Sequence, residues 1–148
     1  MKNVFHFSFV LPFIALLVII GIKGDALYLG VYYYLVSFAI LATIFYLAKA
    51  KPAFSFAISF IYVSSVIIYM TFNWFTDKPE GLLGLGHTFS MPGFVVGLIL
   101  SLIYIKRSKQ ESNINVFFIG ALTTTIGFLI NQLIICNTFF DCGAFSLL

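Results

Sequence analysis

The stretch that decides the fold is 54–75, FSFAISFIYVSSVIIYMTFNWF, which contains no Asp, Glu, Lys, Arg or His. An α-helix needs about 20 predominantly apolar residues to cross the roughly 30 Å of hydrocarbon in a bilayer, and this stretch is long enough. Charged residues and prolines flank it, with Lys51-Pro52 before it and Asp77-Lys78-Pro79-Glu80 after it. The stretch therefore predicts a transmembrane helix.

Four further apolar runs occupy most of the remaining chain, at 4–22, 26–48, 91–105 and 114–135, followed by a tail at 136–148. The first run has no A-x-A cleavage site after it, so we expect a membrane helix rather than a signal peptide. The predicted fold class is all-α: a polytopic transmembrane helix bundle of about five spans, forming a single domain over 1–148 with no soluble domain. Four spans is the alternative, if the fourth run enters the membrane without crossing it.

The composition agrees with a membrane location. The chain has 148 residues, of which 61% are hydrophobic and 9% are charged, whereas an average protein has about half apolar and about a quarter charged residues. A soluble domain of this size needs more charged surface. The composition excludes a soluble enzyme, a nucleic-acid-binding protein and a disordered chain. Membrane lipid is the expected partner, and the net charge of +3 needs no nucleic acid to explain it.

The positions of lysine and arginine predict the orientation, because cytoplasmic loops of membrane proteins carry an excess of both. With the N-terminus inside, five spans place only Lys23 and Lys78 outside. The other six positive residues then lie inside: Lys2, Lys49, Lys51, Lys106, Arg107 and Lys109. We expect a bacterial inner (plasma) membrane protein whose N-terminus is cytoplasmic and whose C-terminal tail is outside.

Small residues recur four apart in the fourth run, at Gly93, Gly97 and Ser101. Residues with this spacing share one face of a helix, and small side chains there allow a neighbouring helix to come close. Two interpretations stay open. The face packs within the chain, or it binds a second copy or a partner helix.

Two groups of polar residues lie within the apolar runs. Tyr32, Tyr33 and Tyr34 are consecutive, and because consecutive helical residues point about 100° apart, at least one of them should face other helices. Asn131 and Gln132 carry amides that are costly to leave unpaired in hydrocarbon. Either water at the outer end of the fifth run satisfies them, or they form interhelical hydrogen bonds or a polar surface for a partner.

The segment 81–93, GLLGLGHTFSMPG, admits two structures. A helix over 91–105 alone would be about 22 Å long, which is short for a span. In the first structure, the helix extends back toward Leu82 and Pro92 kinks it. In the second, 81–89 is a re-entrant loop in the outer leaflet. His87 is an interfacial histidine in the first case, and in the second it lies at the mouth of an outward-facing cavity.

The two cysteines, Cys136 and Cys142, both fall in the predicted outer tail. Their spacing permits a small disulfide-bonded loop in an oxidising compartment, and two free thiols are the alternative. A zinc site built from His87 and both cysteines fits no established spacing, so we predict no metal. The chain has no P-loop, no G-x-G-x-x-G and no G-x-S-x-G. We therefore predict no cofactor, no catalytic residue and no enzymatic activity.

The chain carries no family motif, but its size and topology are similar in outline to those of immunity proteins against pore-forming bacterial toxins. They are also similar to those of membrane subunits of anti-phage defence systems. The resemblance implies a non-enzymatic protein that binds a membrane protein partner or complex by helix–helix contact. The residues expected to carry binding or packing are Gly93, Gly97, Ser101, His87, Asn131 and Gln132. The alternative function is a homo-oligomeric channel or small transporter, lined by Thr123, Thr124, Thr125, Asn131 and Gln132.

Overall fold

The computed structural model describes residues 7–75, 82–109 and 112–138. In these ranges the chain forms five α-helices and no strand, so the predicted all-α fold is confirmed. A short 3₁₀ helix, Phe7–Phe9, leads into the first of them. The helices are α1 (Val10–Lys23), α2 (Val31–Ala48), α3 (Pro52–Trp74), α4 (Leu82–Arg107) and α5 (Asn113–Thr138).

Four of these helices, α2 to α5, are long and apolar enough to cross a membrane. The helix α1 has 14 residues and is about 21 Å long, which is short of the hydrocarbon thickness. The predicted first span began at residue 4, and residues 4–6 lie outside the described part of the chain. The five predicted helices are therefore present, and crossing by α1 stays a prediction.

Several helix boundaries differ from those predicted. The helix α4 begins at Leu82 rather than at 91 and runs continuously through Pro92. The re-entrant loop is thus wrong for 82–89, and the longer helix is the correct alternative. At the other end of the chain, α5 continues to Thr138, so Cys136 belongs to this helix and not to a tail.

A neighbouring helix donates a hydrogen bond to α4 close to Pro92. Proline has no N–H and cannot bond to the carbonyl four residues earlier, which weakens the helix in the turn before Pro92. There the side-chain amide of Asn131 donates to the carbonyl of Phe89 at 2.7 Å. The carbonyl that Pro92 leaves without its backbone partner is that of Thr88, and Phe89 is the next residue, so α5 supports α4 in the turn that Pro92 weakens.

The helices α4 and α5 cross at their glycines. A Cβ atom added to Gly97 would lie 2.5 Å from the carbonyl oxygen of Thr123 and 2.8 Å from Cα of Thr124. Gly93 and Gly127 approach each other in the same way. The small-residue face of α4 is therefore used inside the chain, which is the first of the two interpretations offered for it.

The helix α3 lies at the centre of the bundle and α2 at its edge. In their 18-residue windows, 56% of α3 is buried but only 17% of α2. Aromatic rings hold α2 in place, because Phe38 stacks on Phe9 with ring centroids 5.4 Å apart and meets Phe13 edge-on at 4.9 Å. The helix α2 is thus attached along one side and leaves most of its surface to the surroundings.

The connection between α1 and α2 is folded onto the end of the bundle. The Asp25 carboxylate accepts hydrogen bonds from the backbone N–H groups of Leu27 and Gly30 and from the hydroxyl of Tyr34. The side chain of Asn73, at the end of α3, donates to the carbonyl of Ala26. This connection therefore fixes the start of α2 against α3.

Candidate functional site

His87 lies in the interior of the bundle and has no exposed surface. The predicted position at the mouth of an outward-facing cavity is wrong, and in the longer helix, which was the alternative, His87 packs against protein instead of lying on the surface. The reason is the length of α4, which places His87 in its second turn, facing α3 and α5. An ionisable side chain inside a membrane segment is costly and generally has a function or a dedicated partner.

Four aromatic rings from three other helices surround the imidazole of His87. The nearest ring centroids are those of Tyr69 at 5.2 Å and Phe128 at 5.7 Å. Tyr62 and Tyr33 follow at 6.2 and 6.3 Å. These rings come from α2, α3 and α5, so the histidine is enclosed by every long helix of the bundle.

Both nitrogen atoms of His87 have a hydrogen-bond partner on another helix. The Nδ1 atom lies 3.2 Å from the hydroxyl oxygen of Tyr33 on α2. The Nε2 atom lies 3.0 Å from Oγ of Ser65 on α3. One side chain on α4 therefore links three consecutive helices, α2, α3 and α4.

A second set of polar side chains continues from Tyr69 toward α5. Its side chain interacts with those of Ser90 and Gln132. The hydroxyl of Ser90 bonds to Oε1 of Gln132, and Nε2 of Gln132 lies 2.9 Å from Sγ of Cys136. We call the whole set the interior polar cluster, which comprises Tyr33, Ser65, Tyr69, His87, Ser90 and Gln132.

Apart from Ser101, the residues expected to carry binding or packing fall into two groups. His87 and Gln132 belong to the interior polar cluster, and Gln132 is buried. Its amide oxygen accepts from Ser90 of α4, and its NH₂ group donates to Cys136 in its own helix. Gly93, Gly97 and Asn131 belong to the α4–α5 contact. Ser101 is buried and donates to the carbonyl of Leu98 in its own helix. All the predicted positions thus take part in packing within the chain.

Of the two cysteines in the predicted disulfide, one lies within the described residues. Cys136 is disulfide-bonded and buried, while Cys142 lies outside the described residues. Among the residues that the structure describes, no three His, Cys, Asp or Glu side chains group together so that they could hold a metal ion.

The residues that the sequence did not single out are Tyr69, Ser65 and Asp25. For Tyr33 a signal existed, because three consecutive tyrosines cannot all face lipid. In the structure Tyr33 and Tyr34 turn inward, while Tyr32 is 84% exposed. This prediction is confirmed.

No protein-family model matches the chain, and no curated protein or solved structure matches it. The fold and the interior polar cluster define the class of protein: an α-helical membrane bundle whose ionisable interior residue is bonded within the chain.

Proposed function

We propose that this is a small integral membrane protein that acts non-enzymatically by binding a membrane partner through helix–helix contact. The observation that carries the proposal is the uneven coverage of the helices, since α2 is far less covered by the chain than α3 is. A bacterial inner membrane with the N-terminus inside belongs to the same proposal.

The surface proposed for binding is the outer face of α2, which consists of Tyr32, Val36, Ala39, Ile40, Thr43 and Leu47, all exposed. Ala39 and Thr43 lie one turn apart and are the smallest side chains on it. The hydroxyl of Thr43 bonds to the carbonyl of Ala39 within the helix, so it needs no external partner. Small residues at this spacing let another helix approach closely in lipid.

The resemblance in outline to toxin immunity proteins and defence subunits supplies a class of partner. A helix of a membrane-inserted toxin, or of a defence complex, would present the apolar surface that this face can pack against. Such packing needs no charge, because association in lipid depends on close contact and interhelical hydrogen bonds.

Photo-crosslinking in native membranes tests the proposal at two matched positions. Val36 on α2 and Val96 on α4 are the same residue type, and they are 57% and 55% exposed. A photoreactive residue at 36 should yield a discrete protein adduct, while one at 96 should yield lipid adducts only. Identical lipid patterns at both positions would contradict the proposal, and mass spectrometry of the adduct would identify the partner.

The alternative of a homo-oligomeric channel or transporter has less support from the positions of its predicted lining. Thr124 and Gln132 are buried in the chain, and Asn131 bonds to the carbonyl of Phe89. A pore formed between copies would have to be lined by the lipid-exposed faces instead. Conductance of the purified protein in planar bilayers would restore this alternative.

A further inference from the structure

We infer that His87 is a neutral tautomer with its proton on Nε2, and that it ties α2 to the rest of the bundle by accepting a hydrogen bond from Tyr33. This inference depends on the proposed function only in its last step, where the tie determines how firmly the partner-binding helix is held. The single hydroxyl proton of Ser65 determines the tautomer.

The hydroxyl of Ser65 donates to the backbone carbonyl of Tyr62 at 2.7 Å. A serine hydroxyl has a single proton, so its oxygen can only accept in its 3.0 Å contact with Nε2 of His87. The proton in that contact must therefore come from the ring, and Nε2 is protonated. If the Ser65 hydroxyl donated to Nε2 instead, the Ser65 and Tyr62 oxygens would lie 2.7 Å apart with no proton between them.

The Nδ1 atom of His87 then has a free lone pair. The described contacts of the ring are with Tyr33, Tyr62, Tyr69, Ser65 and Phe128, and none of these is a carboxylate. A charged ring without a counter-charge is expensive in this surrounding, so the ring carries one proton. Since Nδ1 accepts, the Tyr33 hydroxyl donates to it. The hydrogen bonds run in one direction, from Tyr33 through His87 and Ser65 to the Tyr62 carbonyl.

This series of hydrogen bonds matters because it reaches α2, which lies at the edge of the bundle. The helix is mostly uncovered, and its Phe38 is held by ring contacts, which carry little directional information. Hydrogen bonds from adjacent tyrosines fix its first turns: Tyr34 donates to Asp25 in the preceding connection, and Tyr33 bonds to His87. The bond to His87 reaches α4, and the Tyr33 side chain also interacts with those of Thr88 on α4 and Tyr62 on α3. His87 therefore helps to position α2 relative to the core.

Nitrogen-15 spectra of the full chain with His6→Gln, which leaves His87 as the remaining histidine, test the tautomer directly. We expect a protonated Nε2 and an unprotonated Nδ1, with the Nδ1 signal shifted by Tyr33→Phe. A protonated Nδ1 beside an unprotonated Nε2 would overturn the inference, and so would a doubly protonated ring.

Hydrogen exchange of α2 amides in lipid nanodiscs tests the tie. Tyr33→Phe removes one hydroxyl and should speed exchange in the first turns of α2 by roughly threefold to tenfold, the range for one interhelical hydrogen bond in a membrane protein. Tyr32→Phe is the matched control, because it removes the exposed hydroxyl of the adjacent residue, and it should leave exchange unchanged. Equal exchange in both variants would overturn the tie.

Two substitutions of His87 separate the hydrogen bond from simple filling of space. His87→Asn keeps an acceptor near the position of Nδ1 and should preserve the slow exchange of the α2 amides. His87→Phe fills the space between the four surrounding rings without an acceptor, and exchange should become faster. The crosslink at Val36 is a separate readout. Faster exchange without any adduct would refute the proposed function and leave the tie standing, while an adduct with unchanged exchange would do the reverse.

Discussion

The imidazole Nδ1 of His87 lies 3.2 Å from the hydroxyl oxygen of Tyr33, although 54 positions separate the two residues in the chain. This contact joins the least covered membrane helix, α2, to α4. It also makes His87 a link between helices instead of a surface residue. The interior of the protein therefore carries its specific polar contacts, and the exterior is left for lipid and for the partner that we propose.

The glycine contact between α4 and α5 predicts the effect of adding one methyl group. Gly97→Ala should destabilise the protein by about 1–3 kcal/mol, as overpacking does, because the added Cβ would lie 2.5 Å from the Thr123 carbonyl oxygen. Gly86→Ala is the matched control, since nothing lies within 4 Å of its added Cβ. It should be neutral or stabilising by up to about 1 kcal/mol. Unfolding in SDS mixed micelles measures both, and equal stability of the two variants would contradict the contact.

The bond from Asn131 to the carbonyl of Phe89 predicts that Asn131→Leu lowers stability. We expect a loss of about 0.6–2 kcal/mol, the range for interhelical hydrogen bonds in membranes. Asn137→Leu is the control, because Asn137 bonds to the carbonyl of Leu133 in its own helix, and it should have little effect. If Asn131→Leu instead changed conductance and left stability intact, the pore interpretation would gain the support that it now lacks.

The contacts of Asp25 predict that its carboxylate cannot be replaced by an amide. Asp25→Asn leaves one acceptor oxygen for three donors and turns an NH₂ group toward an N–H, so we expect a loss of about 1–3 kcal/mol. Tyr34 donates to the same carboxylate. The double variant Asp25→Asn/Tyr34→Phe should therefore lose less stability than the sum of the losses of the two single variants. Tyr28→Phe, in the same connection but exposed, is the neutral control. Strict additivity would show that the Tyr34–Asp25 bond has no energetic weight.

The alternation of the helices predicts which ends share a side of the membrane. A cysteine at the exposed position Ser108 should react with a membrane-impermeant thiol reagent only in inverted vesicles, and one at Lys23 only in intact cells. Wild-type protein is the blank, because Cys136 is disulfide-bonded. Labelling in the opposite pattern would reverse the orientation proposed from the lysine and arginine distribution.

If the partner binds the outer face of α2, a larger side chain at Ala39 should prevent binding. Ala39→Phe should abolish the adduct formed from position 36 and leave stability close to that of the wild type. Ala15→Phe, on the exposed side of α1, makes the same change elsewhere and should preserve the adduct. An undiminished adduct with Ala39→Phe would place the binding surface on another helix.

Much of the architecture could be predicted from the sequence, for a simple reason. In hydrocarbon every backbone polar group must be satisfied within the segment, so an apolar run of sufficient length becomes a helix. This determined the all-α fold and the five helices. The small residues of α4 likewise predicted close packing, and the three consecutive tyrosines of α2 predicted an inward-facing ring. Contact with lipid alone explains neither feature.

Only the tertiary structure decided which face of each helix turns inward and which polar residues meet. Leu16 is buried and Leu17 is exposed, yet both are leucines in one helix. The hydrophobic effect does not distinguish them, because lipid is as apolar as the protein interior. The burial of His87 was equally beyond the sequence, since the segment around it is rich in glycine and contains Pro92. The turn of α4 before Pro92 receives a hydrogen bond from Asn131 of α5, a partner that comes close only when the chain has folded.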